Sequence, residues 1–420
     1  MKPIMGLFRV PANFGRLAPF KTGSGTRYGI FEAFPEFFGA CLTNSKDQHE
    51  LASYAMSVRK TLGRRYSEPS HPYRNEYERD RDRIIHSRAF RRLENKTQVF
   101  TRRYSDHFRN RLTHTLEVAQ ISRTVAKVLR LNADLVEALA LVHDVGHPPF
   151  GHTGEREINR LMEAHGERFD HNLHALRIVE QFEQKYVNFP GLNLTFEVRE
   201  GIIKHSRDYD PEQYPELEEY RLSERPPLEA QLIDVADEIA YNCADLDDGC
   251  EAKLLTLAQI RGKVPVFERF LRPVERKFSA APEKLKFNEA LKGLMDALVT
   301  DLITATRKRL QKAEVRTIEE VRAAPRRLVG LSSRLRRENR ELKLFLQQNL
   351  YAHREVRAER KRIVRRVEQL FEFFMEHPRS LPAFYVAKTR EEPAYRVVCD
   401  YIAGMTDNYL AEQHQKYVEP

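Results

Sequence analysis

The sequence predicts an all-α protein, and three observations lead to this prediction. Of its 420 residues, 41% are hydrophobic and 31% are charged, a balance typical of a globular chain. Its long central and C-terminal segments are rich in Leu, Ala, Glu, Arg and Lys, which favour helices. Apolar residues in these segments recur every three or four positions, which is the spacing of one helix face.

The overall composition restricts the classes of protein to which the chain can belong. No stretch approaches the roughly 18 apolar residues that cross a bilayer, so we expect no membrane partner. A net charge of +9 favours polyanionic partners. The four cysteines show no zinc-ligand pairing and fit a reducing, cytoplasmic setting; they are Cys41, Cys243, Cys250 and Cys399.

Residues 1–50 differ in composition from the rest of the chain. They contain many Phe, Gly and Pro residues, no acidic residue before Glu32, and no helical periodicity. A transit peptide would also be basic, but it would be rich in Ser and amphipathic. We therefore predict a poorly ordered N-terminal extension.

The first long helix is predicted in "RLTHTLEVAQISRTVAKVLRLN". Its apolar stripe comprises Val118, Ile121, Val125 and Val128, which are spaced at i, i+3, i+7 and i+10. His114 lies four residues before Val118 and therefore on the same stripe. A buried histidine is predicted near the start of this helix.

The next helix, "ADLVEALALVHDVG", ends on a histidine–aspartate pair. Leu135, Leu139 and His143 follow one another at i+4 steps, and Gly146 and two prolines then stop the helix. His143 and Asp144 should therefore lie at the end of a buried helix.

A third helix is predicted in "PLEAQLIDVADEIAYNCADLDDG". Its inward face comprises Leu232, Ala236, Ile239 and Cys243, and Asp237 lies at the border of that face. Two further segments, 284–313 and 341–378, read as long amphipathic helices. We assign residues 51–275 to a catalytic core and 276–420 to a helical region that completes the same unit.

Two imidazoles and two carboxylates fall on the buried sides of three successive helices. They are His114, the pair His143 and Asp144, and Asp237. Each alone has an ordinary explanation as a hydrogen-bonded histidine, a capping residue or an ion-pair partner. Together they suit a divalent ion such as Mn²⁺, Mg²⁺, Fe²⁺, Co²⁺, Ni²⁺ or Zn²⁺.

The same residues carry a resemblance to a known family. "RDRIIHSRAFRRLENKTQVF", "RLTHTLEVAQISRT", "HDVGHPPFGHTGE", "FDHNLHALRIVE", "GLNLTFEVREGIIKHS", "QLIDVADEIAYNCADLDDG" and "DYIAGMTDNYL" resemble bacterial deoxyguanosinetriphosphate triphosphohydrolase-like proteins, which have a metal-dependent HD domain. The resemblance spans roughly residues 50–415. It implies a helical HD core with additional C-terminal helices packed on it, and hydrolysis of deoxynucleoside triphosphates to deoxynucleoside and inorganic triphosphate.

The resemblance also implies roles for residues outside the metal cluster. His152 and Glu155, at i and i+3, can share a hydrogen bond, and they match the family's catalytic histidine and its acidic partner. His147 and His171 match histidines on the phosphate side of the site. The residues that match substrate contacts are Arg111, Gln98, Tyr241 and Asp245.

One departure from the family pattern leaves the substrate open. Glu238 stands where eukaryotic relatives have a phosphate-binding lysine, so other cations must bind the phosphates and the preferred base cannot be inferred. Two alternatives remain: an HD phosphohydrolase of nucleoside monophosphates or cyclic dinucleotides, and a single-stranded nucleic-acid-binding protein. For the latter, "RAERKRIVRR" is either a contact surface or a solvated helix face. The resemblance further implies a homo-oligomer and response to nucleotide or single-stranded DNA effectors.

Overall fold

The computed structural model describes residues 50–98 and 108–419. These residues belong to one compact unit that spans 49–420. The extension predicted for residues 1–50 lies, apart from Glu50, outside the described residues. Among the described helices, none is both long and apolar enough to cross a lipid bilayer.

The described residues form α-helices joined by turns, short 3-10 or π segments and a few longer loops, with isolated β-bridges and no strand, which confirms the all-α prediction. The helices of the first part are α1 (Glu76–Ile85), α2 (Arg88–Arg92), α3 (Arg111–Leu129), α4 (Ala133–Val142), α5 (Gly151–Glu163), α6 (His171–Arg177), α7 (Phe196–Ile203) and α8 (Leu228–Glu251). Those of the second part are α9 (Leu257–Ile260), α10 (Pro265–Lys277), α11 (Glu283–Lys312), α12 (Ile318–Arg322), α13 (Ser333–Asn349), α14 (Arg354–Glu376), α15 (Ala383–Lys388), α16 (Ala394–Ala403) and α17 (Asp407–Tyr417).

Helix α3 begins where its sequence provides a reciprocal cap. The side chain of Asn110 accepts a hydrogen bond from the backbone N–H of Thr113, and the Thr113 hydroxyl accepts one from the backbone N–H of Asn110. Val118 and Val125 are fully buried, as the apolar stripe predicted. Val128 is instead 41% exposed, because ten residues rotate it about 80° around the helix from Val118.

The main core surrounds helix α8. Helix α3 packs against α4 and α8, and α11 and α13 pack against other parts of α8. The inward face predicted for this helix is confirmed, since its four residues are all at most 1% exposed; they are Leu232, Ala236, Ile239 and Cys243. Burial on this scale is the main favourable term that holds the helices together.

A second apolar cluster attaches the last helices to α5. Ile158 and Met162 of α5 pack with Phe371 and Phe374 of α14 and with Ile402 of α16. The segment predicted as helical over 341–378 is divided between α13 and α14 by a break at residues 350–353. The boundary at 275/276 stays a prediction, and it falls near the end of α10.

Candidate active site

Helices α3 and α8 bring His114 and Asp237 together. Nε2 of His114 lies 2.8 Å from Oδ1 of Asp237, and Nδ1 of His114 is buried without a hydrogen-bond partner. Burial alone would raise the pKa of Asp237, but the hydrogen bond with His114 and the charges of His114 and His143 together lower the pKa well below its ordinary value. Asp237 is therefore ionised at neutral pH.

His143, at the end of α4, has a fixed tautomer. Its Nδ1 donates a hydrogen bond to the carbonyl oxygen of Ala140 at 2.6 Å. Nε2 is then the unprotonated nitrogen, and it is buried without a hydrogen-bond partner. It lies 3.5 Å from Oδ1 of Asp144 and 3.9 Å from Oδ1 of Asp237. Burial lowers the pKa of His143, which keeps its lone pair available for a metal ion.

Asp144 is a buried carboxylate between two cationic or polar neighbours. Its Oδ2 accepts a hydrogen bond from Arg111 at 2.8 Å, and its Oδ1 lies 2.9 Å from Nδ1 of His147. Burial would raise the pKa of Asp144, but the charge of Arg111 and the neighbouring histidines hold it well below its ordinary value. Asp144 thus adds a second negative charge to the cluster.

These four residues fit a divalent metal ion. His114, His143 and Asp144 each offer a ligand atom within 4.8 Å of the others. Two ionised carboxylates so close together in a buried site need a compensating positive charge, and two imidazoles with two carboxylates suit borderline and hard divalent ions. The orphaned Nε2 of His143 has no other partner to satisfy it among the described residues.

The turn after Asp144 allows two helices to approach closely. A Cβ on Gly146 would lie 1.9 Å from the carbonyl oxygen of His171, so only glycine lets the end of α4 pack on α6. Phe150 and Gly151 both have left-handed backbone conformations, with φ of 60° and 56°. Together they reverse the chain so that α5 begins beside the metal cluster.

Helix α5 places a histidine–carboxylate group next to the metal cluster. Glu155 accepts hydrogen bonds from Nδ1 of His152 at 2.9 Å and from Nδ1 of His171 at 2.7 Å. Burial would raise the pKa of Glu155, but these hydrogen bonds lower it well below its ordinary value. His147 stacks on His171 with ring centroids 3.9 Å apart. The four residues predicted to be catalytic therefore form one group.

A cleft of about 510 Å³ opens beside His152, whose side chain is 69% exposed. A volume of this size accommodates a small-molecule ligand. All four residues predicted to bind substrate line this cleft; they are Gln98, Arg111, Tyr241 and Asp245. The structure thus brings the predicted metal ligands, acid–base group and substrate contacts to one place.

Comparison with known proteins agrees with this arrangement. The HD domain family matches residues 111–242, and the phosphohydrolase-associated domain matches residues 329–416. A deoxyguanosinetriphosphate triphosphohydrolase-like protein of Geobacter sulfurreducens is 45% identical over 376 residues, which cover 90% of this chain and 97% of that protein. One of Bordetella parapertussis is 46% identical over 377 residues, covering 88% and 97%.

The chain belongs to the deoxyguanosinetriphosphate triphosphohydrolase-like family. Membership makes it an HD-domain phosphohydrolase, a hydrolase of a class that binds divalent metals. The resemblance inferred from the sequence is therefore confirmed, and so is the HD core with C-terminal helices packed on it.

Several residues of this family member's cleft were not predicted from the sequence. Tyr351, in the break before α14, donates a short hydrogen bond to Asp245. Burial raises the pKa of Asp245 to about 7, although this hydrogen bond opposes the shift. The Nζ of Lys343 lies 5.3 Å from the centroid of the Tyr241 ring. Further cations at the cleft are Arg156, Arg357 and Arg360.

His205 was not predicted either. It lies in the segment "GLNLTFEVREGIIKHS", where Val198, Ile202 and His205 follow one another at i, i+4 and i+7, so helical spacing was the signal that could have identified it. Its ring is buried, 5.2 Å from the ring of His143 between centroids.

The start of α17 holds the loop that carries His147 and Phe150. We call Lys96, Thr97, Phe150 and Asp407 the C-terminal latch. Asp407 accepts hydrogen bonds from the backbone N–H groups of Thr97 and Phe150, both at 2.8 Å. Lys96 donates from Nζ to the carbonyl oxygen of His147. Burial lowers the pKa of Lys96 to about 7.

Proposed function

We propose that this family member hydrolyses deoxynucleoside triphosphates to deoxynucleoside and inorganic triphosphate. One observation supports the proposal above others: His152, hydrogen-bonded to Glu155, faces a nucleotide-sized cleft directly beside a His–Asp cluster. Such a combination provides cation binding and proton transfer at one phosphorus atom.

The metal would be held by His114, His143, Asp144 and Asp237. A divalent cation supplies charge neutralisation at the α-phosphate and a more acidic attacking water. Arg111 holds Asp144 by its 2.8 Å hydrogen bond, which fixes the carboxylate toward the cluster. The tautomer of His143 is fixed by Ala140, so no rearrangement of this ring is needed before an ion binds.

His152 would protonate the leaving 5′-oxygen, an alkoxide that leaves poorly without a proton. Its Nδ1 donates to Glu155, so Nε2 is the nitrogen left to hold and deliver the proton. The Glu155 carboxylate stabilises the protonated ring. Glu155 itself is held by two hydrogen bonds from His171, one from Nδ1 and one from the backbone N–H. His171 is thus a positioning residue in this scheme.

Cations from two parts of the chain would bind the triphosphate. Arg111 has an Nε that is buried without a hydrogen-bond partner, and Arg156 projects from α5. The remaining cations come from α13 and α14, namely Lys343, Arg357 and Arg360. These cations would take the place of the phosphate-binding lysine of eukaryotic relatives. Glu238 stands at the position of that lysine and accepts a hydrogen bond from Asn339.

The sugar would lie against Gln98, Tyr241 and Asp245. Oε1 of Gln98 is buried without a hydrogen-bond partner and can accept one from a hydroxyl group. Asp245 and Tyr351 form a donor–acceptor pair for the 3′-hydroxyl. A close fit around C2′ would exclude ribonucleotides sterically.

Product analysis with Mn²⁺ and each deoxynucleoside triphosphate, singly and mixed, tests the proposal. We expect deoxynucleoside and intact triphosphate from the wild type. Asp144→Ala should lose metal and turnover together, while His152→Ala should keep metal and lose turnover. His165→Ala, which alters an exposed histidine just beyond α5, is the matched control and should retain both. Monophosphate and pyrophosphate as products, or full turnover in either site variant, would overturn the mechanism.

A second activity, binding of single-stranded DNA, is favoured by one surface. Arg354, Arg357, Lys361 and Arg365 are exposed on α14 and, at i, i+3, i+7 and i+11, lie on one face. They form a cationic row of about 16 Å. We expect oligonucleotide binding that weakens steeply between about 50 and 200 mM salt. Lys361→Glu should reduce it, whereas Lys308→Glu on α11 should not; equal binding by both variants would exclude this face.

A further inference from the structure

We propose that His205 is a third imidazole ligand of the ion held by His114, His143, Asp144 and Asp237. A further consequence is that the site selects a transition ion over Mg²⁺. The inference rests on the metal site of the proposed function and adds a residue to it.

The backbone around His205 is fixed by two hydrogen bonds and by the conformation of the next residue. Asn172 donates from Nδ2 to the carbonyl oxygen of His205 at 2.8 Å. Ser206, the next residue, has a left-handed conformation with φ of 52°, and its N–H donates to Oδ1 of Asp234 at 2.8 Å. A non-glycine residue keeps such a conformation only where its surroundings impose it. The ring of His205 is therefore directed by the fold.

The ring of His205 faces the metal cluster. His143, His205 and Asp237 each offer a ligand atom within 4.8 Å of the other two. His143 also belongs to the corresponding triplet with His114 and Asp144. His143 has one free nitrogen, which is Nε2, and can therefore bind only one ion, so we assign both triplets to that ion.

His205 also lacks the hydrogen bond that a buried histidine ordinarily makes. Its Nδ1 lies 2.8 Å from Oδ1 of Asp234 but makes no aligned hydrogen bond. Asp234 is instead engaged by Ser206 and by Arg327, with which it forms a short ion pair. With Nδ1 beside this carboxylate, Nε2 is the nitrogen left to bind an ion.

A third imidazole changes the preference of the site. Mg²⁺ takes oxygen ligands and retains several waters, whereas Mn²⁺, Fe²⁺, Co²⁺, Ni²⁺ and Zn²⁺ accept imidazole more readily. With two imidazoles the site would tolerate Mg²⁺. With three, the nitrogen donors outnumber the two carboxylates and the balance moves to the transition ions.

Pulsed EPR of the Mn²⁺-loaded full-length protein tests the inference, because it counts coordinated imidazole nitrogens without substrate. We expect three in the wild type, two in His205→Gln, and three in the control His165→Gln. The Mn²⁺ affinity of His205→Gln, measured by metal content after dialysis, should fall about 10–100-fold, with a smaller change for Mg²⁺.

Two nitrogens in the wild type would overturn the proposal, even if the variant failed to fold. An unchanged count in a folded His205→Gln protein would do the same. The two proposals can fail separately. Three coordinated nitrogens without triphosphate release would support the ligand set and contradict only the proposed reaction.

Discussion

Removing the carboxylate of Asp407 tests the C-terminal latch. Asp407→Ala leaves the backbone N–H groups of Thr97 and Phe150 without their acceptor. An unsatisfied buried donor costs about 1–3 kcal/mol, so two give about 2–6 kcal/mol. Since Thr97 and Phe150 line the open cleft and water can reach part of this region, we expect the lower half of that range.

Urea unfolding followed by circular dichroism measures the global cost of this change, and hydrogen exchange measures the local one. The midpoint should fall, and the amides of Thr97 and Phe150 should exchange faster than in the wild type. Asn408→Ala alters an exposed neighbour in α17 and serves as control. If Asp407→Ala matched this control in both measurements, the latch would not hold the loop.

Three further predictions concern the site. Between pH 7 and about 10.5, Lys96 is protonated in the unfolded chain but neutral in the folded protein, where burial lowers its pKa. The unfolding free energy of the wild type should therefore rise with pH across this window, relative to that of Lys96→Met. A difference in urea midpoints that does not change with pH would contradict this. Mn²⁺ at about 100 times its Kd should raise the unfolding free energy by about 2.7 kcal/mol, and His143→Ala should abolish the gain. Glu155→Gln should lower turnover about 10²–10⁴-fold with metal content unchanged; turnover within twofold of wild type would remove its role.

The parts of the site that the sequence predicted lie on strongly periodic helices. The stripe through Val118 identified His114 as inward-facing, and the stripe through Ala236 placed Asp237 at its border. Helix ends are also readable, because Gly146 and the following prolines stop α4 next to His143. Local patterns of this kind show which side chains point toward the core.

The unpredicted parts depend on contacts between distant segments. Tyr351 meets Asp245 across 106 positions, and Asp407 meets Thr97 across 310. No local periodicity encodes such pairs. His205 follows a short helix in which charged residues are buried together with apolar ones, so its direction depends on neighbouring segments as well as on its spacing from Val198 and Ile202. The roles assigned to the site residues remain predictions.

Two separate stretches of the chain line the cleft, and they contribute different kinds of residue. The His–Asp cluster and the His152 group come from residues 114–237, whereas Lys343, Tyr351, Arg357 and Arg360 come from later helices. Under the proposed function, a substitution at Lys343, Arg357 or Arg360 would therefore alter triphosphate binding without touching the groups that transfer protons. A chimaera that exchanges residues 329–416 would take these cations from one parent and the His–Asp cluster from the other.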